Sequence, residues 1–422
     1  MTGSTIRFDW HDDRARLLAE AHARPSTPLV APIVAIRLAN VSGQEGLDSD
    51  RAHMVALCRH LGAAEPDAQA RWWSVESGGG SHWSLRWERH TEFSSWTLFA
   101  TPRTGLEELP AAWLAAFPDD VLVATRLEMR RDDAGSDAAP TASDGVMIGS
   151  AVLEGAARVF TDFRPDESGM THFRVLLRSD DSALAGRLAL ILLEIETYRL
   201  MALLAFPLAG QAASELRTVE EEAGVLAARL TAEEGVEADR ALLARMITLS
   251  GEVERLSSRI TFRFSAADAY HELVRERVAS LREAKIGGLQ TIEEFMERRL
   301  APAMRTCGSI IERKQSVLRR IGRAGAMLDT RIKVADEETS AALLRSMNQR
   351  ADASLRLQRT VEGLSVAAIS YYAIALLAYP MKAIEHSIAG FDATLALALL
   401  APLVALGVWL SLRRIRRSIE RD

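Results

Sequence analysis

The sequence predicts an α+β domain that continues into long helical stalk or coiled-coil hairpins and ends in a two-helix transmembrane hairpin, with helix predominating. Three observations predict it. Two long apolar runs without a charged residue lie near the C-terminus. Apolar residues recur at spacings of three and four through the middle of the chain, as on one face of a helix. Short β-type runs alternate with helical stretches in residues 1–182.

The chain has 422 residues, enough for two domains. Its 48% hydrophobic content is an ordinary globular average, but the last sixty residues are far more apolar than the rest. A formal net charge of -6 provides no general basic field, so nucleic acid is not an expected partner. The two cysteines, Cys58 and Cys307, are far apart and form no C-x-x-C, which fits a reducing compartment. Met1–Glu20 carries Asp9, Asp12, Asp13, Arg14 and Arg16 with no apolar core, unlike a signal peptide. The soluble part is therefore expected in the cytoplasm.

In the first 182 residues, expected strands are Pro32–Leu38, Ser84–Arg89, Ser95–Thr101, Val121–Met129 and His172–Leu177. Arg51–Leu61 and Pro110–Phe117 read as helices, and Arg131–Ser143 as a solvated loop. Ala183–Phe206 is a strongly apolar helix, but it contains Arg187, Glu194, Glu196 and Arg199. Charges at mid-bilayer cost about 2.5–3.5 kcal/mol each. It is therefore expected to pack against the sheet, with Pro207 ending it. Residues 183–359 form the stalk. Val219, Ala223, Leu226 and Leu230 make one stripe; Leu243, Met246, Val253, Leu256 and Ile260 make another; Gly235 turns between them. Gly287 and Gly288 break the pattern. Leu289, Ile292, Met296, Leu300 and Met304 follow, with Pro302 as a kink or helix start. A near-heptad set then runs through Cys307, Ile311, Lys314, Leu318, Ile321, Gly325, Leu328 and Ile332.

Residues 360–422 form the membrane part. Leu364–Met381 has eighteen uncharged residues and Ala393–Leu412 has twenty. At ~1.5 Å per residue each spans roughly the ~30 Å hydrocarbon layer. The connection, Lys382–Asp392, is short, so the spans are antiparallel. Arg350, Arg356 and Arg359 precede the first span, and Arg413, Arg414, Arg416, Arg417 and Arg421 follow the second. The connection has only Lys382. The excess of basic residues on one side places both termini in the cytoplasm of a bacterial inner membrane. Gly363, Ala367, Ser370, Ile374, Leu377 and Met381 fall on one face of the first span. That face reads either as close helix packing by small residues or as the lining of a pore in a homo-oligomer.

Elsewhere the polar clusters read as structural. In Leu85–Phe93, alternation puts Arg86, Glu88 and His90 on one strand face and Trp87 on the other. Arg158, Asp162 and Arg164 alternate similarly around Phe160 and Phe163. His22, in Glu20–Pro25, suits a helix end. Glu194 and Glu196 do not share a helix face, whereas Glu196 and Arg199 can pair. Gly78, Gly79 and Gly80 form a lone triple glycine, and there is no G-x-S-x-G or H-E-x-x-H. No catalytic residue or cofactor is indicated, no metal is assigned, and no enzyme is expected.

The stretches EAHARP (Glu20–Pro25), RWERHTEF (Arg86–Phe93), RVFTDF (Arg158–Phe163), LEIETYRLM (Leu193–Met201), FMERRLAPAMRTC (Phe295–Cys307) and TVEGL (Thr360–Leu364) resemble those of an uncharacterised bacterial membrane protein family, the domain of unknown function DUF3422. The layout is also similar to that of CorA-type magnesium transporters, which place a cytoplasmic α/β domain and stalk helices before two C-terminal spans. That resemblance implies a homo-oligomer, a pentamer in those transporters, with the first span lining a pore. Their outer signature, Tyr-Gly-Met-Asn, reads Tyr379-Pro380-Met381-Lys382 here, and a lysine opposes a cation at the mouth. The expected function is CorA-like ion transport with the ion unassigned. The alternative is a membrane-anchored scaffold or regulator whose cytoplasmic domain binds a partner. Membrane lipid and further copies of the chain are the expected partners.

A cysteine introduced at Ser387 is expected to react with an impermeant thiol reagent added to intact cells, and one placed after Arg417 to be protected. Labelling of the tail from outside would reverse the orientation.

Overall fold

A computed structural model describes residues 9–14, 17–18, 26–43, 46–77, 83–102, 105–118, 120–132, 146–232, 235–387 and 392–419. It divides into two compact units. The first comprises Met1–Thr231 and Ala244–Gly325, the second Ala232–Leu243 and Ala326–Asp422.

The first unit holds a mixed nine-stranded sheet: β1 (Ile33–Asn40), β2 (Trp72–Glu76), β3 (Ser84–Arg89), β4 (Ser94–Ala100), β5 (Val121–Arg131), β6 (Ile148–Val152), β7 (Ala157–Thr161), β8 (Thr171–Leu177) and β9 (Ala284–Lys285). The spatial order is β2-β3-β4-β1-β5-β8-β7-β6-β9. Neighbours are antiparallel except β5 and β8, which run parallel with Leu127 opposite Phe173. The parallel pair joins two antiparallel runs into one sheet. Such a pair needs a long crossover, and the chain between β5 and β8 builds β6 and β7 on the way. Every expected strand is present, and Ser84–Arg89 has the bounds that its alternation predicts. Trp72–Glu76, Ile148–Val152 and Ala284–Lys285 were not anticipated.

Strand alternation sorts the two faces of the sheet. Ile36, Leu98 and Leu85 align across β1, β4 and β3, with Leu38, Trp96 and Trp87 one step further along. These residues form an apolar core with Met54, Leu57 and Cys58 of α1 (Leu47–Leu61) and with Trp113 of α2 (Ala111–Ala115). His53 of α1 is buried in it, stacked on Trp113 at 4.2 Å and edge-on to Trp96 and Phe117. Burial pushes its imidazole down to about 4. Below it, Asp50 accepts hydrogen bonds from Asn40 at 2.8 Å and Ser94 at 2.6 Å, and Trp96 donates to Asn40.

The other face is lined by Ala35, Arg37, Thr97, Thr125 and Leu127, and α3 (Ser182–Leu203) packs on β5 and β1. Asp181 caps α3, accepting hydrogen bonds from the amides of Ala183 and Leu184. Gly186 lets α3 approach Thr27 and Pro28, because a Cβ there would collide with the Thr27 carbonyl. Thus the apolar helix with internal charges packs on the sheet, as expected. Pro207 does not end it. The helix stops at Leu203, and Pro207 lies in the first turn of α4 (Ala205–Ala232), where a missing amide breaks no intrahelical bond.

Gly235, with φ +126°, precedes α5 (Val236–Ser280). Gly287, with φ +49°, lies between α5 and α6 (Ile292–Ser387). Pro302 is neither a start nor an end but lies inside α6. The start of α6 is Thr291, whose hydroxyl accepts from the Glu294 amide while the Glu294 carboxylate accepts from the Thr291 amide. Glu283 accepts from the next two amides, those of Ile292 and Glu293. After α6 comes α7 (Ala393–Ile419), with Pro402 inside it. The expected loop at 133–143, Glu20–Pro25 with His22, the glycines 78–80 and Arg421 lie outside the described residues.

The aromatic seat of His53 has a pH consequence. Between pH 6.5 and about 4 the unfolded chain binds a proton there that the folded chain does not, so stability falls as pH falls through that window and is level above it. His53→Phe is expected to flatten the slope of the thermal midpoint, by about a few degrees across the window. Circular dichroism melts in detergent check it; an unchanged slope refutes the assignment.

Candidate functional site

Two helices are long and apolar enough to cross a membrane, one in α6 and one in α7, and almost none of either apolar stretch is buried. A core helix of a soluble protein would be covered; these expose Leu364, Leu376, Leu399 and Leu403. On the face singled out by spacing, Gly363 and Ala367 are exposed, Ser370 is buried, and Ile374, Leu377 and Met381 are half-buried. Val366, Ala373 and Ala378, to either side, are also half-buried, so the cover follows one stripe. The stripe on α7 comprises Ala393, Leu397, Leu400, Val404 and Val408.

Gly235, Val236 and Asp239 of this unit lie beside Thr330–Glu338. At ~1.5 Å per residue that is about 40 Å along the helix from Ser365. The same face that spacing offered for either packing or a pore is, from Ser370 to Met381, the less exposed face of this stretch.

At the far end of this stretch Tyr379, Pro380 and Lys382 are exposed. At the near end Arg356 and Arg359 are exposed on α6, and Arg413 and Arg414 on α7. The Arg413 guanidinium lies 4.9 Å from the Trp409 ring, a pairing suited to a boundary between apolar and wet surroundings. The side chains of Arg416 and Arg417 lie outside the described residues.

In the first unit, the clusters read as structural do assemble, through partners that sequence spacing could not name. Arg37 donates to Glu88 at 3.3 Å and to Thr97 at 2.9 Å, while Arg86 donates to Thr27 at 2.9 Å and stands 3.9 Å from Glu88. Burial first, and then the neighbouring Arg37 against the opposing pull of Glu88, leaves the Arg86 guanidinium below its usual range. Glu92 pairs with Arg263 of α5, 171 residues away. Tyr270 stacks on Tyr198 and bonds to Glu92; burial and that carboxylate raise the pKa of its hydroxyl. Glu194 pairs with Arg277 of α5, whereas Glu196 takes Arg199 at 2.7 and 2.8 Å. The two glutamates on different faces therefore serve different partners, and the expected Glu196–Arg199 pair forms. Arg199 also lies 5.2 Å from the Phe163 ring, which stacks on Phe295 at 4.6 Å. RWERHTEF, RVFTDF, LEIETYRLM and FMERRLAPAMRTC thus converge around α3 and α5.

Two clefts among the described residues each measure about 340 Å³. One is lined by Asp268, His271, Arg275, Glu297 and Arg305. Its acids and guanidiniums offset each other, and burial with the adjacent Arg275 holds the His271 imidazole low. The other, within the second unit, contains Asp239, paired with Arg331 at 3.2 Å. Among the described residues no group of three or more His, Cys, Asp or Glu could hold a metal ion.

A family model described as "Protein of unknown function (DUF3422)" matches residues 9–419. No curated protein and no solved structure matches the chain.

The Glu92–Arg263 pair has a measurable signature. Glu92→Gln or Arg263→Met alone leaves one largely desolvated charge and is expected to cost about 3–5 kcal/mol. The double variant should recover part of that loss. Denaturant titration of the four proteins gives the coupling; strict additivity rules the pair out.

Proposed function

We propose that this chain, which belongs to the DUF3422 family, is a membrane-anchored scaffold or regulatory protein. Its α7 and the apolar part of α6 form a hairpin across the inner membrane, and its α/β and helical body binds a partner in the cytoplasm. The observation that carries this reading is the covered stripe Ser370, Ile374, Leu377 and Met381. In this reading the chain's own second helix covers that face, which then holds the hairpin together and does not border a channel. Backbone polar groups inside both helices are satisfied within each helix, as a lipid interior requires, apart from the carbonyls of Leu376 and Ala398, which lose their partners at Pro380 and Pro402. The basic residues Arg356, Arg359, Arg413 and Arg414 at one end, with Lys382 at the other, support cytoplasmic termini.

A second reading is an ion-conducting homo-oligomer of CorA-like layout. It is favoured by Gly363 and Ala367, small and exposed at the basic end of the first span, where another copy could approach closely. In that reading the hairpins repack, large apolar side chains at Ile374, Leu377 and Met381 narrow the path, and Lys382 disfavours cations at the mouth.

Flux into liposomes, measured with oligomer size, decides between them. The anchored reading expects no ion flux above protein-free liposomes for wild type, Leu377→Ser, Ser370→Leu and Lys382→Asn alike, with changes only in assembly or stability. The channel reading expects Leu377→Ser to raise the leak, Ser370→Leu to lower it and Lys382→Asn to favour cations. Flux that follows that pattern overturns the anchored reading.

A further inference from the structure

Within the second unit, the start of α5 and the middle of α6 leave a cleft of about 340 Å³ between them. Val236 stands on the α5 side and Val334 and Ala335 on the α6 side, so part of its wall is apolar. Asp239, Thr330 and Glu338 bring oxygen atoms to it, and Arg331 a guanidinium.

Asp239 sets the chemistry. It lies in the first turn of α5, where its amide bonds to the Gly235 carbonyl at 3.0 Å, and it is only 4% exposed. One carboxylate oxygen, Oδ2, faces the Arg331 Nε at 3.2 Å. The other, Oδ1, is buried and has no hydrogen-bond partner among the described residues. A buried carboxylate oxygen without a donor carries a desolvation cost that nothing offsets. The neighbouring cations are engaged elsewhere. Arg240 pairs with Glu237 at 3.0 Å and with Asp336 at 3.2 Å, and Lys333 holds Asp329 at 2.7 Å. Glu338 is exposed. Two carboxylates against one guanidinium therefore leave one negative charge over in the cleft.

That surplus, with a bare acceptor beneath it, calls for a ligand that is positively charged and donates hydrogen bonds. A calcium ion takes about six to eight oxygen ligands, more than these side chains provide. A primary ammonium carries three N–H donors. Asp239 Oδ1, the Glu338 carboxylate and the Thr330 hydroxyl can each accept one. The Thr330 hydroxyl spends its own proton on the Ala326 carbonyl at 2.9 Å, which leaves its oxygen as an acceptor. An alkyl chain on the ammonium would lie against Val236, Val334 and Ala335. The volume is near the lower end for ligand pockets, so that chain is short.

We infer that the cleft between the start of α5 and Thr330–Glu338 of α6 binds a small primary alkylammonium ion, with Asp239 and Glu338 as its carboxylate acceptors. The inference goes beyond the membrane-anchored reading and does not depend on it, because neither wall includes the apolar part of α6.

Isothermal titration calorimetry on the detergent-extracted full-length protein tests it, with n-butylammonium, tetramethylammonium and potassium chlorides as probes. Tetramethylammonium has the same charge as n-butylammonium and no N–H to donate. The wild type is expected to bind n-butylammonium saturably and the other two cations at least about ten-fold more weakly. Asp239→Asn keeps an oxygen for Arg331 but loses the charge, and it should abolish saturable binding. Glu338→Gln alters only an exposed side chain, so it is expected to leave the thermal midpoint unchanged while weakening n-butylammonium at least about five-fold. No saturable binding by the wild type, equal binding of tetramethylammonium, or undiminished binding by Glu338→Gln overturns the site.

Discussion

Charge buried between a sheet and the helices packed beside it constrains the first unit most. The face of the sheet toward α3 is not a plain apolar layer. It carries Arg37 and Glu88, both almost fully buried, with Arg86 close by. The loop after β3 adds Glu92, and α3 adds Glu194 and Glu196. An ionised group in such surroundings is costly unless it is paired and hydrogen-bonded. Each carboxylate named here meets a guanidinium, and for Glu92 and Glu194 that guanidinium comes from α5. The sheet and the α5 helix are therefore tied by electrostatic necessity as well as by apolar contact. Losing α5 would leave unpaired charge behind as well as a bare surface.

This arrangement explains what could be read from the sequence and what could not. The strand Ser84–Arg89 was legible because a two-residue period is a local property, and one turn of α3 fixes the Glu196–Arg199 pair. The helix breaks at Gly235 and near Gly287 were legible because the backbone there needs a positive φ. The Glu92–Arg263 partnership spans 171 residues and has no local mark. Neither has the parallel joint between β5 and β8, since each strand alternates in the same way whichever direction its neighbour runs. Trp72–Glu76 was missed because its two adjacent tryptophans obscure the period in a five-residue strand. Ala284–Lys285 is too short to have one.

On the apolar helices, the face from Ser370 to Met381 was legible as a face, but its neighbour was not. Spacing at three and four specifies which residues look in one direction; it is silent on whether a second helix of the same chain, another copy or water lies there. The structure adds that those residues are less exposed than the rest of the stretch, and that α7 carries a similar stripe.

The two-residue strand β9 has a consequence out of proportion to its length. It pairs Lys285 with Ser150 and Ala284 with Ala151, and next to it the Gly149 amide bonds to the Gln290 carbonyl and the Leu153 amide to that of Leu281. Gly149 has no room for a Cβ, which would press on Leu289 and Phe160. The link between two long helices thus seals the β6 margin of the sheet. The opposite margin, β2, has no such cover in the strand order, and its Trp72 is partly exposed. Backbone amides and carbonyls on an open margin can template further strands. Among the described residues the sheet therefore has one sealed margin and one open margin, and an added strand would find its backbone partners on the β2 side.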